Sequence, residues 1–62
     1  MTQQDEDVAA AQQALERWVG ARERWTLEMT PAGFREVRDS AGILRARNRD
    51  PRVVMEMLER PR

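Results

Sequence analysis

The stretch that decides the predicted fold is Asp5–Glu28, with the sequence DEDVAAAQQALERWVGARERWTLE. From Val8 onward, residues spaced alternately three and four apart form a series that is apolar except at Arg22. The members of this series are Val8, Ala11, Leu15, Trp18, Arg22, Trp25 and Met29. Such spacing places every member on one stripe of an α-helix. We therefore predict helix 1 over about residues 5–28, with Thr2 near its start and a tolerated kink at Gly20.

Two Pro-containing pairs indicate the starts of further helices. Thr30-Pro31 and Asp50-Pro51 each combine an N-cap residue with Pro at the first helical position. They predict helix 2 over about residues 31–47 and helix 3 over about residues 51–59, stopped by Pro61. Helix 2 could instead end at Gly42, with Gly42 as a left-handed C-cap. Alternating runs of β-branched residues are absent. The expected fold is thus all-α: one domain, residues 1–62, with a long amphipathic helix and two shorter ones.

The composition excludes most kinds of catalytic site. The chain has no Cys, His or Tyr, and its eleven basic residues are all Arg. It therefore lacks a thiol nucleophile, an imidazole base, the usual transition-metal ligands and the lysine of a P-loop. A carboxylate acid or base would need burial to raise its pKa, and a chain this small rarely supplies that. We expect no enzyme activity, no catalytic residue, no cofactor and no metal.

The N-terminal residues favour a cytoplasmic location. The segment Met1–Asp7 is polar and acidic, whereas a signal peptide begins with a basic region followed by an apolar one. The longest stretch without a charge, Val8–Leu15, is far shorter than the ~20 residues of a membrane span. We therefore expect a soluble, cytoplasmic protein without a membrane partner.

The size of the chain favours association with another protein. A 62-residue chain buries only about 60% of its surface on folding, and this one has no disulfide. The simplest completion of the core is a homodimer through helix 1, and a larger protein partner is the alternative. The indoles either close the chain's own core or anchor a second chain, and Arg22 would set the register of that contact. The predicted interface residues are Val8, Leu15, Trp18, Arg22, Trp25 and Met29.

These features predict a small non-enzymatic protein-interaction module, such as an adaptor, a regulator or an inhibitor subunit. Recognition would place a helix in a groove or against another helix. The sequence leaves open whether the chain folds alone or only on binding.

An alternative function is a nucleic-acid-binding regulator. The net charge is zero, but all eleven Arg lie in residues 17–62, against seven acidic residues there. The densest basic run supplies four possible phosphate contacts: Arg45, Arg47, Arg49 and Arg52. The same run could be an ordinary solvated face. The exclusive use of Arg could reflect bidentate contacts or a G+C-rich coding bias.

Overall fold

The protein has an α/β fold, so the predicted all-α helical bundle is wrong. The computed structural model describes residues 3–60, without the side chains of Gln3 and Gln4. The elements, in chain order, are α1 (Gln3–Gly20), β1 (Thr26–Met29), β2 (Arg35–Arg38), β3 (Leu44–Asn48) and α2 (Pro51–Glu59). The predicted roles of Thr2 and Pro61 fall outside the described residues. No helix within residues 3–60 is long and apolar enough to cross a membrane.

The prediction that helix 1 runs to residue 28 is wrong beyond Gly20. Two last-turn bonds, from Ala21 N–H to the Arg17 carbonyl and from Arg22 N–H to the Val19 carbonyl, end α1. Arg24 then adopts a positive φ of 68°, a left-handed conformation that reverses the chain direction. The segment 25–29 is apolar at alternate positions, so it fits the period of a strand as well as that of a helix. The heptad spacing of Arg22, Trp25 and Met29 therefore continues the series of α1 only by coincidence, since these residues lie beyond the end of the helix.

The predicted helix 2 is replaced by two hairpin turns with the same hydrogen bonds. In the first, Thr30 N–H donates to the Phe34 carbonyl and Gly33 N–H donates to the Thr30 carbonyl. The second repeats this pattern nine residues later, between Asp39, Gly42 and Ile43. Each is a type I turn followed by a left-handed Gly, with φ of 89° at Gly33 and 81° at Gly42. These glycines are therefore hairpin residues, and the predicted helix C-cap at Gly42 is wrong.

Side chains reinforce both turns. The Thr30 hydroxyl accepts a bond from Phe34 N–H at 3.0 Å. One Asp39 carboxylate oxygen accepts bonds from Ala41 N–H at 2.9 Å and from Ile43 N–H at 3.1 Å. Turn-forming Thr and Asp side chains compete with helix formation by bonding their own backbone. This explains why Thr30-Pro31, which resembles a helix start, opens a turn here.

The three strands form an antiparallel sheet in the order β1-β2-β3. Thr26 lies opposite Arg38 and Leu27 opposite Val37, and Val37 lies opposite Ala46 on β3. Arg38 is opposite Leu44, so Arg45 is an extra residue that forms a β-bulge. A bulge changes the direction in which a side chain points. At Arg45 it therefore determines the face of the sheet on which this side chain lies.

Helix α2 occupies the residues predicted for helix 3. Asp50 has an extended backbone, and its side chain accepts a bond from Arg52 N–H at 2.9 Å. Pro51 follows as the first helical residue and is itself fully buried. The cap and the fixed φ of Pro define this helix start locally, because neither depends on the rest of the fold.

Both helices pack on the same face of the sheet. The buried core comprises Leu15 and Val19 from α1, Val37 and Ala46 from the sheet, and Val54 from α2. We call this face of the sheet the inner face and the opposite one the outer face. No described helix covers the outer face, where Glu36, Arg38 and Arg47 lie by strand alternation.

Candidate protein-interaction surface

The two indoles meet at the boundary between the core and the surface. Trp18 comes from the last turns of α1, and Trp25 from the residue before β1. Their ring centroids are 5.4 Å apart, with an interplanar angle of 74°, which is the favourable edge-to-face arrangement. Both are partly buried and pack against the core. The reversal of the chain after Gly20 therefore joins two indoles that the predicted helix would have kept two turns apart.

Arg22 stacks on the indole pair. Its guanidinium carbon lies 3.2 Å from the Trp18 ring centroid and 5.9 Å from that of Trp25. One guanidinium nitrogen also donates to the Trp18 carbonyl at 2.8 Å. The guanidinium has no carboxylate within 4.0 Å among the described residues. Its positive charge is therefore held by the indoles and one carbonyl, and it is free to pair with an incoming acidic group.

A small cavity of about 100 Å³ opens beside the indoles. Arg45 enters it from β3, and Met57, Leu58 and Arg60 enter it from the end of α2. The guanidinium of Arg45 lies 5.8 Å from the Trp25 centroid, so the β-bulge brings this residue to the inner face. We call Trp18, Arg22, Trp25, Arg45, Met57 and Arg60 the tryptophan cluster. It combines the residue types that are enriched at the cores of protein interfaces.

Asp39 is the acidic residue that pairs with the cluster. Its carboxylate lies 3.3 Å from Arg45. The backbone N–H of Ile43 holds the pKa of Asp39 below its ordinary value, together with the N–H of Ala41 and the charge of Arg45. Asp39 is therefore ionised at neutral pH, and its carboxylate is already hydrogen-bonded to the backbone of its own turn. Arg22 and Arg60 have no carboxylate partner among residues 3–60, so the cluster carries excess positive charge.

The structure brings together three of the six predicted interface residues: Trp18, Arg22 and Trp25. Leu15 is fully buried in the chain's own core, so it is not available to a partner. Val8 is partly buried ten residues earlier on α1, and Met29 lies on β1 with 55% of its surface exposed. The predicted single stripe is therefore divided between a helix, a turn and a strand.

Sequence reasoning missed the contributions of Arg45, Met57 and Arg60 to this surface. Met57 has 42% of its surface exposed and borders the cavity. Arg45 was assigned to a basic patch, because the β-bulge that redirects it has no clear sequence pattern. Recognising both hairpin turns would have placed Arg45 and Trp25 on either side of the same end of β2.

The four arginines of the predicted basic patch do not form one surface. Arg47 pairs with Glu36 at 2.9 Å and stacks over Phe34, with its guanidinium carbon 3.9 Å from the ring centroid. Arg52 pairs with the N-cap residue Asp50 at 2.8 Å, and this bond is the largest contribution that lowers the pKa of Asp50. Arg45 lies at the tryptophan cluster, on the other face of the sheet. Arg49 packs over Phe34 at 4.7 Å and has no carboxylate partner among the described residues.

Residues 3–60 contain no group of three or more His, Cys, Asp or Glu side chains placed to hold a metal ion. The pKa values of Asp39 and Asp50 are both lowered, whereas a general acid at neutral pH needs a raised one.

No protein-family model matches the chain, and comparisons with curated proteins and with solved structures find no match either.

Proposed function

We propose that the protein is a small non-enzymatic interaction module that binds another protein through the tryptophan cluster. The observation that carries this proposal is the indole pair, which is only partly buried. The Arg22 guanidinium stacks on Trp18 and has no carboxylate partner among the described residues. Trp and Arg dominate binding energy where a partner excludes water from them. Met57, 42% exposed beside them, adds a flexible apolar contact.

The charges of the cluster favour a partner with acidic and apolar residues. Arg60 lines the cavity, Arg22 stacks on Trp18 at its wall, and Arg45 is paired with Asp39 at 3.3 Å. A carboxylate placed there would form charge-assisted hydrogen bonds, while apolar neighbours would cover the indole edges. Adaptor, regulator and inhibitor subunit are all roles that such a surface could serve.

The geometry supports nucleic-acid binding less well. Stacking of a base needs a free aromatic face, but Arg22 covers one face of Trp18 at 3.2 Å. Of the four predicted phosphate contacts, three are paired with carboxylates of the same chain. Each of these pairs would have to be broken or shared to contact a phosphate.

The test selects peptides from a displayed random library on the immobilised protein and measures their affinity for two variants. Met57→Glu and Leu44→Glu form a matched pair, because both residues are 42% exposed. Leu44 is opposite Arg38 on the outer face, whereas Met57 borders the cavity. We expect enriched peptides to contain acidic and apolar residues, and to lose affinity only with Met57→Glu, which removes the apolar contact and repels their carboxylates. Equal affinity for both variants, or enrichment of basic peptides, would refute the proposal.

A further inference from the structure

We propose that the free edge of β1 pairs with β1 of a second copy, antiparallel about a two-fold axis at Leu27. The product is a continuous six-stranded sheet with the order β3-β2-β1-β1-β2-β3. This inference does not rest on the proposed function, although the two surfaces share Trp25. The proposed dimer contact therefore lies at the edge of β1, whereas the sequence analysis expected a homodimer through helix 1.

The two edges of the sheet differ in how they are protected. Strand β3 carries a bulge at Arg45 together with Arg47, and both features discourage pairing with another strand. Strand β1, with the sequence TLEM, pairs in continuous register with β2, and Glu28 is its one charged residue. Among residues 3–60, β2 is the only strand hydrogen-bonded to β1. A flat edge with one charge is the kind that accepts a further strand.

The hairpin turn fixes which backbone groups β1 presents. Thr30 N–H donates to the Phe34 carbonyl, which makes this pair a hydrogen-bonded one. Hydrogen-bonded and non-hydrogen-bonded pairs alternate along an antiparallel ladder. Leu27 and Met29 therefore belong to non-hydrogen-bonded pairs with β2 and direct their N–H and C=O groups outward. These four groups are the ones that a second strand can bond.

The side chains match when the two-fold axis passes through Leu27. In this register Leu27 faces Leu27 of the partner subunit, and Met29 faces the partner subunit's Trp25, all on the inner face. The 55% exposed Met29 side chain thus gains an aromatic contact. On the outer face Thr26 meets Glu28 of the partner subunit. The alternative register, centred on Glu28, places two carboxylates directly opposite each other, which is unfavourable.

The charges on the outer face also match. Within one chain Glu28 lies opposite Glu36, whose carboxylate already pairs with Arg47 at 2.9 Å and lies 3.8 Å from Arg38. In the proposed dimer, Glu28 of the partner subunit lies beside Thr26, whose other neighbour is Arg38. The Cα atoms of Arg38 and the partner's Glu28 are then two strand spacings, about 10 Å, apart. Long Arg and Glu side chains can meet across the short Thr26, and the two-fold axis forms this contact twice.

A charge-swap experiment tests this contact by sedimentation equilibrium over a range of protein concentrations. We expect a wild-type dimer, and dissociation constants raised about tenfold or more for Glu28→Arg and for Arg38→Glu alone, from two lost pairs and two repulsive ones. An equimolar mixture of the two variants should restore the dimer, because both contacts are then attractive. Far-UV circular dichroism checks that each variant is folded.

A backbone test accompanies it. Met29→Pro removes one outward N–H without breaking the ladder to β2, and it should give a monomer that still binds selected peptides. Hydrogen exchange in the wild type should show the Leu27 and Met29 amides protected only at dimer-forming concentrations. A wild-type monomer at every concentration would overturn the inference. So would a dimer that survives these changes with both amides unprotected. Because the two surfaces share Trp25, peptide affinity is measured on the Met29→Pro monomer, so that failure of the dimer and failure of the tryptophan cluster remain distinguishable.

Discussion

Substituting the three glycines of the chain by Ala tests the fold, because the hairpins predict whether each substitution stabilises or destabilises the protein. Gly20 ends α1 without a positive φ, whereas Gly33 and Gly42 have φ values of 89° and 81°. A Cβ added at any of them meets no atom within 4 Å. Substitution by Ala therefore tests the backbone conformation alone, because no steric clash contributes.

The expected magnitudes follow from those conformations. Ala in the left-handed region costs about 1 to 2 kcal/mol, so Gly33→Ala and Gly42→Ala should each destabilise the protein by that amount. Gly20→Ala should stabilise it by about 0.5 to 1 kcal/mol, because Ala in a helix restricts the unfolded chain. In a domain of this size, a change of about 1 kcal/mol shifts Tm by about 4–8 °C.

Urea denaturation monitored by tryptophan fluorescence measures these changes at one fixed protein concentration, since association would otherwise alter the apparent stability. A chain with helix 2 continuous over residues 31–47 would gain stability from Ala at all three positions. A Gly42→Ala variant as stable as the wild type would therefore refute the hairpin assignment, whatever the result at Gly20.

Three further predictions concern the core, the turns and the cluster. Leu15→Ala should lower the free energy of unfolding by about 2 to 5 kcal/mol in chemical denaturation, because Leu15 is fully buried within the chain. The folded-state pKa values of Asp39 and Asp50 lie below the ordinary 3.8, so their stabilisation is complete above about pH 4 and is lost as the pH falls through the lowered values. Acid titration of the double variant Asp39→Asn/Asp50→Asn should accordingly show a weaker dependence on pH, and an unchanged acid limb would contradict this. Trp25→Phe should abolish the exciton couplet that the paired indoles give in far-UV circular dichroism, and a couplet that persists would show that the indoles are not paired.

The sequence predicted α2 and the first part of α1 correctly, because the structure of both segments is determined locally. The Asp50-Pro51 pair combines a cap with a Pro at the first helical position, and α2 begins there. The first part of α1 has helix-forming residues and apolar residues at helical spacing, so its pattern indicates a helix and no other element. Both segments fold as their nearest neighbours dictate.

The sheet was missed because its signals are short and ambiguous. The apolar positions 25, 27 and 29 of β1 fit both a strand and the continued heptad series, and none is β-branched. Thr30-Pro31 is typical of a helix start as well as of a type I turn. The repeated Ala-Gly at 32–33 and 41–42, each preceded by a turn-forming pair, was the available indication of two hairpins.

The candidate site was predicted in part. Trp18, Arg22 and Trp25 were selected for their residue types, and they do form one cluster, but through a chain reversal instead of a continuous helix. Arg45 and Met57 depend on a β-bulge and on the packing of α2, which are properties of the whole fold. Such contributions cannot be read from local spacing.

An NMR titration of the labelled protein with a peptide selected on it determines whether the tryptophan cluster is the binding surface. The two indole N–H resonances, of Trp18 and Trp25, report on the cluster, and the Leu44 amide reports on the outer face. We expect saturable shifts of both indole resonances and of the Met57 methyl group, with the Leu44 amide unchanged. Shifts confined to Leu44 or to the Arg47–Arg49 segment, with both indoles unaffected, would contradict this expectation.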